Sequence, residues 1–134
     1  MSAARASAKL ARVMRFLLVC LGGAAGTGAR YLFGVGAQRL TGGGLPYGTI
    51  GVNLIGSFLI VVIMQLGLMK ETLSPDVRVI LSTGVMGGFT TYSAFNYETV
   101  QFLRTGAVGL AALNVGVTLV GCLLAAGLGF LVAR

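Results

Sequence analysis

Residues 84–98, GVMGGFTTYSAFNYE, carry the groups in this chain that could do chemistry. Glycines precede a run of hydroxyl side chains at residues 90–93 and a carboxylate, although the surrounding sequence is apolar. Unpaired polar groups in hydrocarbon each cost several kcal/mol, so polar, irregular backbone in a membrane must line a cavity or pack on protein. Because glycine lowers helix stability by about 1 kcal/mol relative to alanine, we predict a membrane helix that is broken at Gly87, Gly88 and Thr90.

Two kinds of ion contact are available around such a break. Carbonyl oxygens freed at the end of the first half-helix can hold a small cation. Phe89, Tyr92 and Phe95 recur every three residues, and the positive edges of aromatic rings favour an anion where the faces repel it. Simple packing is the alternative explanation of such an aromatic stripe. The side chains that could replace water around a small anion are Asn53, Thr49, Ser93 and Thr118.

Enzyme chemistry is excluded by the scarcity of reactive side chains. The chain has no histidine and three acids, of which only Glu98 lies within an apolar span. A catalytic dyad or a cage of metal-binding side chains therefore cannot be assembled within one chain. Cys20 and Cys122 fall inside apolar spans, and we expect them to be small core residues. The function classes that remain are transport and conduction.

The elements that must position these groups are membrane helices. The 134 residues are 56% hydrophobic and 10% charged, whereas about a quarter of the residues in a soluble domain are charged. Four apolar spans, 16–38, 47–69, 79–103 and 105–133, each exceed the roughly 20 residues that cross a bilayer as a helix. We predict an all-α membrane protein with one domain at residues 14–134, preceded by a basic tail at residues 1–13.

Charged and polar residues occur within the apolar spans and in the segments that join them. The net charge of +7 is explained by lipid headgroups rather than by nucleic acid. Arg30, in the first span, either snorkels to the interface or lines an aqueous vestibule that attracts anions. Two roles are open for Asn53, a hydrogen bond between helices and contact with an ion. Polar residues spaced by four share one face of the second and the fourth span, namely Thr49, Asn53 and Ser57, and Asn114, Thr118 and Cys122.

Three motifs carry a resemblance to a known family. They are residues 22–31, GGAAGTGARY, residues 48–57, GTIGVNLIGS, and residues 87–95, GGFTTYSAF, with Glu98 beyond. The order, spacing and span of the second and third motifs are highly specific. The chain resembles the Fluc or CrcB family of small four-span fluoride channels over nearly all of residues 14–134.

The resemblance implies a passive channel that exports fluoride across the plasma membrane of a prokaryote-like cell. It also implies an antiparallel, dual-topology homodimer with a break in the third helix. A structural sodium ion at the dimer centre would be held by the backbone carbonyls of Gly87 and Thr90. The implied fluoride pathway is made of Asn53, Tyr92, Phe95, Thr49, Glu98, Asn114 and Thr118. Tyr92 stands where phenylalanine is frequent, and Asn114 and Thr118 stand where tyrosine and serine are typical.

The distribution of positive charge bears on the implied topology. With four helical spans, seven of the ten basic residues share one side of the membrane. They are Arg5, Lys9, Arg12, Arg15, Lys70, Arg78 and Arg134. Arg39 and Arg104, together with Arg30 if it snorkels, lie on the other side. This bias opposes insertion in both orientations. Translation from Met14 would remove three basic residues and nearly balance the sides, so we hypothesise that the functional chain starts there.

A small multidrug or cation antiporter, which also forms four-span antiparallel dimers, is the alternative function. An antiporter needs a deeply placed acid to exchange protons, and Glu98 is the one available. At a rise of about 1.5 Å per residue, Glu98 lies roughly 10 Å from the middle of its span, which makes it less suitable for that role.

Overall fold

A computed structural model describes residues 2–134, with side chains from residue 5 onward, and this part of the chain is helical without strands. Met1, part of the predicted basic tail, lies outside the described residues. The helices are α1 (Ser2–Thr41), α2 (Tyr47–Leu68), α3 (Pro75–Val79), a π-helical segment (Ile80–Met86), α4 (Gly87–Phe89), α5 (Tyr92–Arg104) and α6 (Val108–Ala133).

Three helices, α1, α2 and α6, are long and apolar enough to cross a membrane. They correspond to the first, second and fourth predicted spans, and the protein is an all-α membrane protein. The third predicted span is divided among α3, the π-helical segment, α4 and α5. α1 runs from Ser2 without interruption, so residues 2–13 of the predicted tail are helical and continuous with the first span.

Local sequence explains where the helices begin and turn. Positive φ angles at Gly42, Gly43 and Gly44, which glycine adopts without steric cost, reverse the chain before α2. Ser74 caps α3 by accepting a hydrogen bond from the Val77 N–H, and Pro75 occupies the first turn. Serine as a cap and proline in the first turn are both favourable at the start of a helix.

Close backbone contact joins α1 to the segments of the third predicted span. A Cβ atom at Gly26 would overlap the carbonyl oxygen of Val85, and one at Gly88 would overlap the carbonyl oxygen of Gly23. The glycines of α1 therefore allow the close helix approach that small residues predict. A small core of Val52, Met86 and Phe89 lies between α2 and these segments.

Two further features concern charge and cysteine placement. Arg15 of α1 forms an ion pair of 2.5 Å with Asp76 of α3, and both side chains are about half exposed. The prediction of two core cysteines is wrong for Cys20, which is exposed, because its face of α1 is not covered by the described residues. Cys122 is half-buried.

Candidate functional site

The candidate site is organised around two extended residues between α4 and α5. Thr90 has φ −84° and ψ 159°, and Thr91 has φ −152° and ψ 111°. Gly87 and Gly88, which were predicted to form the break together with Thr90, are helical. Packing of α1 on this segment outweighs the low helix propensity of glycine, and the helix stops where Thr91 can cap α5 by accepting from the Ala94 N–H at 3.2 Å.

The extended residues deprive two carbonyl groups of their helical donors. In a continuous helix, the Gly87 carbonyl would accept from the Thr91 N–H and the Thr90 carbonyl from the Ala94 N–H. Instead, the Thr91 N–H donates to Asn53 Oδ1 at 2.8 Å, and the Ala94 N–H donates to Thr91 Oγ1. Gly87 and Thr90 thus offer oxygen atoms of the kind that coordinates Na⁺ at unwound helices.

No group of three or more His, Cys, Asp or Glu side chains converges within the part of the chain that the structure describes. Oxygen atoms at the break come from backbone carbonyls and from the side chains of Thr90, Thr91 and Asn53.

Asn53 ties α2 to the start of α5. The residue is 8% exposed. Its Oδ1 accepts from the Thr91 N–H at 2.8 Å, and its Nδ2 donates to the Thr91 carbonyl at 3.0 Å. The interhelical hydrogen bonding that the sequence predicted for Asn53 is present, and its partner is backbone. One hydrogen on Nδ2 is left for another acceptor.

Arg30 also reaches this region. Its Nε donates to the Gly88 carbonyl at 3.0 Å, and the Thr27 hydroxyl donates to the same oxygen at 3.5 Å. A positive charge is favourable at the C-terminal end of a helix such as α4. Neither alternative considered for Arg30, interface or vestibule, included this contact.

A groove of about 600 Å³ lies between α2, α5 and α6 and brings together four of the predicted pathway residues. They are Asn53, Tyr92, Phe95 and Thr118. Phe95 is 5% exposed and Tyr92 is 71% exposed. Their ring centroids are 5.6 Å apart at an interplanar angle of 40°. Ser93 is exposed outside this lining set, and its hydroxyl lies 3.2 Å from Thr91 Oγ1.

A second cavity of about 370 Å³, near the start of α2, holds Thr49 and Glu98. The Thr49 hydroxyl donates to Glu98 Oε1 at 2.6 Å. Because Thr49 is one helical turn before Asn53, the two cavities follow each other along the same face of α2.

Asn114 of α6 bonds to Thr99, a residue that the sequence did not single out. It is fully buried, and its Nδ2 donates to the Thr99 hydroxyl at 2.9 Å. Thr99 in turn donates to the Phe95 carbonyl at 2.8 Å. The signal that could have found Thr99 is a hydroxyl within a span, one turn beyond Phe95 and next to Glu98.

Three buried polar atoms lack a hydrogen-bond partner among the described residues: Glu98 Oε2, Asn114 Oδ1 and Thr118 Oγ1. A buried polar group left unpaired costs about 1–3 kcal/mol. Glu98 Oε2 and Asn114 Oδ1 are acceptors, whereas the Thr118 hydroxyl can also donate. We call these polar groups on α5 and α6 the polar track.

Comparison with known proteins gives a consistent family. Residues 17–130 match the model of the family described as CrcB-like protein, Camphor Resistance (CrcB). The chain is 52% identical over 120 residues to the fluoride-specific ion channel FluC of Anaeromyxobacter sp. (strain K), covering 90% of this chain and 95% of the relative.

Other relatives agree with this match. The fluoride-specific ion channel FluC of Sorangium cellulosum is 52% identical over 90% of this chain and 94% of its own length. The protein of the same name from Thermus thermophilus is 46% identical over 88% of this chain and 92% of its own length. The chain therefore belongs to the CrcB family, as the three sequence motifs predicted.

Proposed function

We propose that this protein is a passive, fluoride-selective channel in the plasma membrane of a prokaryotic cell, through which cytoplasmic fluoride leaves. The observation that carries the proposal is the 52% identity, over 90% of the chain, to a protein named a fluoride-specific ion channel. The relatives are named as channels and not as enzymes, in agreement with the function class that the residue content favours.

The polar track gives this function a physical route. Fluoride is small and holds its water strongly, so a pathway must replace that water with hydrogen-bond donors. The route follows α2 from the Thr49 and Glu98 cavity, past the free N–H of Asn53, to the groove that contains Phe95 and Thr118. Aromatic ring edges of Tyr92 and Phe95 supply positive partial charge where donors are sparse.

We further propose that α3, the π-helical segment, α4 and α5 together make a fourth membrane crossing, interrupted at Thr90 and Thr91. Two copies would assemble as an antiparallel, dual-topology homodimer. Support comes from the groove beside α5, because a lone chain leaves it open with Tyr92 71% exposed. A second copy would cover this surface and enclose the pathway.

A sodium ion at the dimer centre is part of the same proposal. The Gly87 and Thr90 carbonyls fit such an ion, because the N–H groups that would occupy them in a helix donate elsewhere. When bound, sodium would supply positive charge that holds the interrupted helices of two subunits together.

The antiporter alternative is not favoured. Its proton-exchanging acid would be Glu98, and one oxygen of Glu98 accepts a hydrogen bond from Thr49 at 2.6 Å. The relatives, moreover, are named as fluoride channels.

Purified protein in liposomes loaded with fluoride tests the proposal, with a fluoride electrode as the detector. We expect efflux without a proton gradient, and far slower efflux of chloride from matched liposomes. Phe95→Ile should suppress fluoride efflux while the protein still elutes as an assembled species. Well-assembled protein that passes no fluoride, or that moves an organic cation only against protons, would refute the channel.

A further inference from the structure

We propose that Thr99 is a positioning residue for fluoride conduction, an inference that rests on the function proposed above. Thr99 Oγ1 donates to the Phe95 carbonyl at 2.8 Å and accepts from Asn114 Nδ2 at 2.9 Å. A hydroxyl has one hydrogen. Having given it to Phe95, the oxygen of Thr99 can only accept, so the nitrogen of the Asn114 amide must face Thr99.

This constraint decides what Asn114 offers to an anion. The side chain is fully buried and cannot turn its amide to solvent. The terminal torsion of asparagine is broad and roughly two-fold, so an unanchored amide could present either end. A carbonyl oxygen repels fluoride, whereas an N–H binds it. With its nitrogen held by Thr99, Asn114 keeps one N–H for an anion on that end of the amide. Its Oδ1, which has no partner among the described residues, is thereby turned away from Thr99.

The neighbouring groups extend this arrangement. Thr118 lies one turn beyond Asn114 on α6, and its buried hydroxyl has no partner within residues 2–134, so its hydrogen is free to donate. Asn114 donates to Thr99, and Thr99 donates to the backbone carbonyl of Phe95. These bonds link the orientation of the Asn114 amide on α6 to Phe95, which lines the groove. Thr99 therefore acts on the pathway through Asn114.

The test compares variants that differ by one hydroxyl. Thr99→Val keeps the shape and removes the hydroxyl, and Thr99→Ser keeps the hydroxyl. Thr105→Val is the matched control, because the Thr105 hydroxyl also donates one turn back along α5, to the Gln101 carbonyl at 3.0 Å, but it is exposed. We expect Thr99→Val to lower the ratio of fluoride to chloride efflux about three- to tenfold, the effect of one hydrogen bond. Thr99→Ser should restore the ratio, and Thr105→Val should not change it.

A double variant separates positioning from packing. In an Asn114→Ala background, Thr99→Val should have no further effect on the fluoride to chloride ratio, because the amide that it orients is gone. If Thr99→Val does not assemble, Thr99→Ala takes its place, and its fluoride to chloride ratio is compared with that of Thr99→Ser, which keeps the hydroxyl.

Three results would overturn the inference. A conducting Thr99→Val variant with unchanged selectivity would overturn it alone, as would an equal effect with and without Asn114. Wild-type protein that passes no fluoride would overturn the proposed function and this inference with it.

Discussion

A single side chain, Asn53, connects the second helix to the interruption near the third helix. Both ends of its amide bond the backbone of Thr91, and the same residue lines the groove. Asn53 thus holds the extended backbone in place while keeping one N–H for a ligand. The structural and the functional explanations that its position in the sequence allowed are compatible.

Asn53→Asp tests both roles of Asn53, the hydrogen bonds to Thr91 and the N–H kept for a ligand. An ionised aspartate can accept from the Thr91 N–H but has no hydrogen for the Thr91 carbonyl. Leaving a buried group unpaired costs about 1–3 kcal/mol, so we expect a lower melting temperature in detergent. The added negative charge should also abolish fluoride efflux.

Gln38→Glu makes the same change from amide to carboxylate at an exposed position in the last turn of α1 and should leave the melting temperature unchanged. Equal melting temperatures for the Asn53 and Gln38 variants would contradict the clamp on Thr91.

At the scale of the elements, hydropathy predicted four apolar spans, and three of them are the long helices α1, α2 and α6. The position of the interruption could not be predicted from local propensity. Gly87 and Gly88 remain helical because α1 packs against them, and the N–H of Thr91 has a partner only because Asn53 comes from α2. The pairing of Thr99 with Asn114 depends in the same way on how α5 meets α6, which periodicity within one helix does not reveal.

Two glycines of α1, two residues apart, test the close approach of α1 to the π-helical segment and α4. A Cβ atom at Gly26 would overlap the Val85 carbonyl oxygen and lie 2.9 Å from the Phe89 nitrogen. Overpacking of this kind costs about 1–3 kcal/mol. We therefore expect Gly26→Ala to lower the melting temperature of the protein.

Gly28→Ala is the control, because a Cβ atom there meets no described atom within 4 Å. Alanine favours a helix over glycine, so this variant should be as stable as the wild type or slightly more stable. Equal destabilisation by the two substitutions would show that α1 does not pack as described.

At the scale of the whole molecule, the proposed antiparallel dimer must be reconciled with the charge bias. Arg30 donates to the Gly88 carbonyl inside the fold and so adds nothing to the side that carries Arg39 and Arg104. A chain that begins at Met14 loses Arg5, Lys9 and Arg12, which lowers the imbalance from seven against two to four against two. It keeps the Arg15–Asp76 ion pair. The Met14 start remains a hypothesis, and an intact mass that includes Met1 or Ser2 would count against it.

Removing sodium tests the proposed dimer centre. If the Gly87 and Thr90 carbonyls hold sodium between two subunits, replacing Na⁺ with N-methylglucamine should lower the melting temperature and favour dissociation, as expected for loss of a ligand that binds the assembled state. Size-exclusion chromatography with light scattering measures the assembly. A dimer whose stability and mass do not depend on sodium would contradict a structural ion at this site.

The reversal potential of the current across a planar bilayer tests selective, passive fluoride conduction most directly. With a tenfold fluoride gradient, and chloride equal on both sides, we expect a reversal near the fluoride equilibrium potential, about 59 mV for a monovalent ion. Collapse of the fluoride gradient should bring the reversal to zero without any proton gradient. A reversal at zero in the presence of the fluoride gradient, or a current that requires a proton gradient, would contradict it.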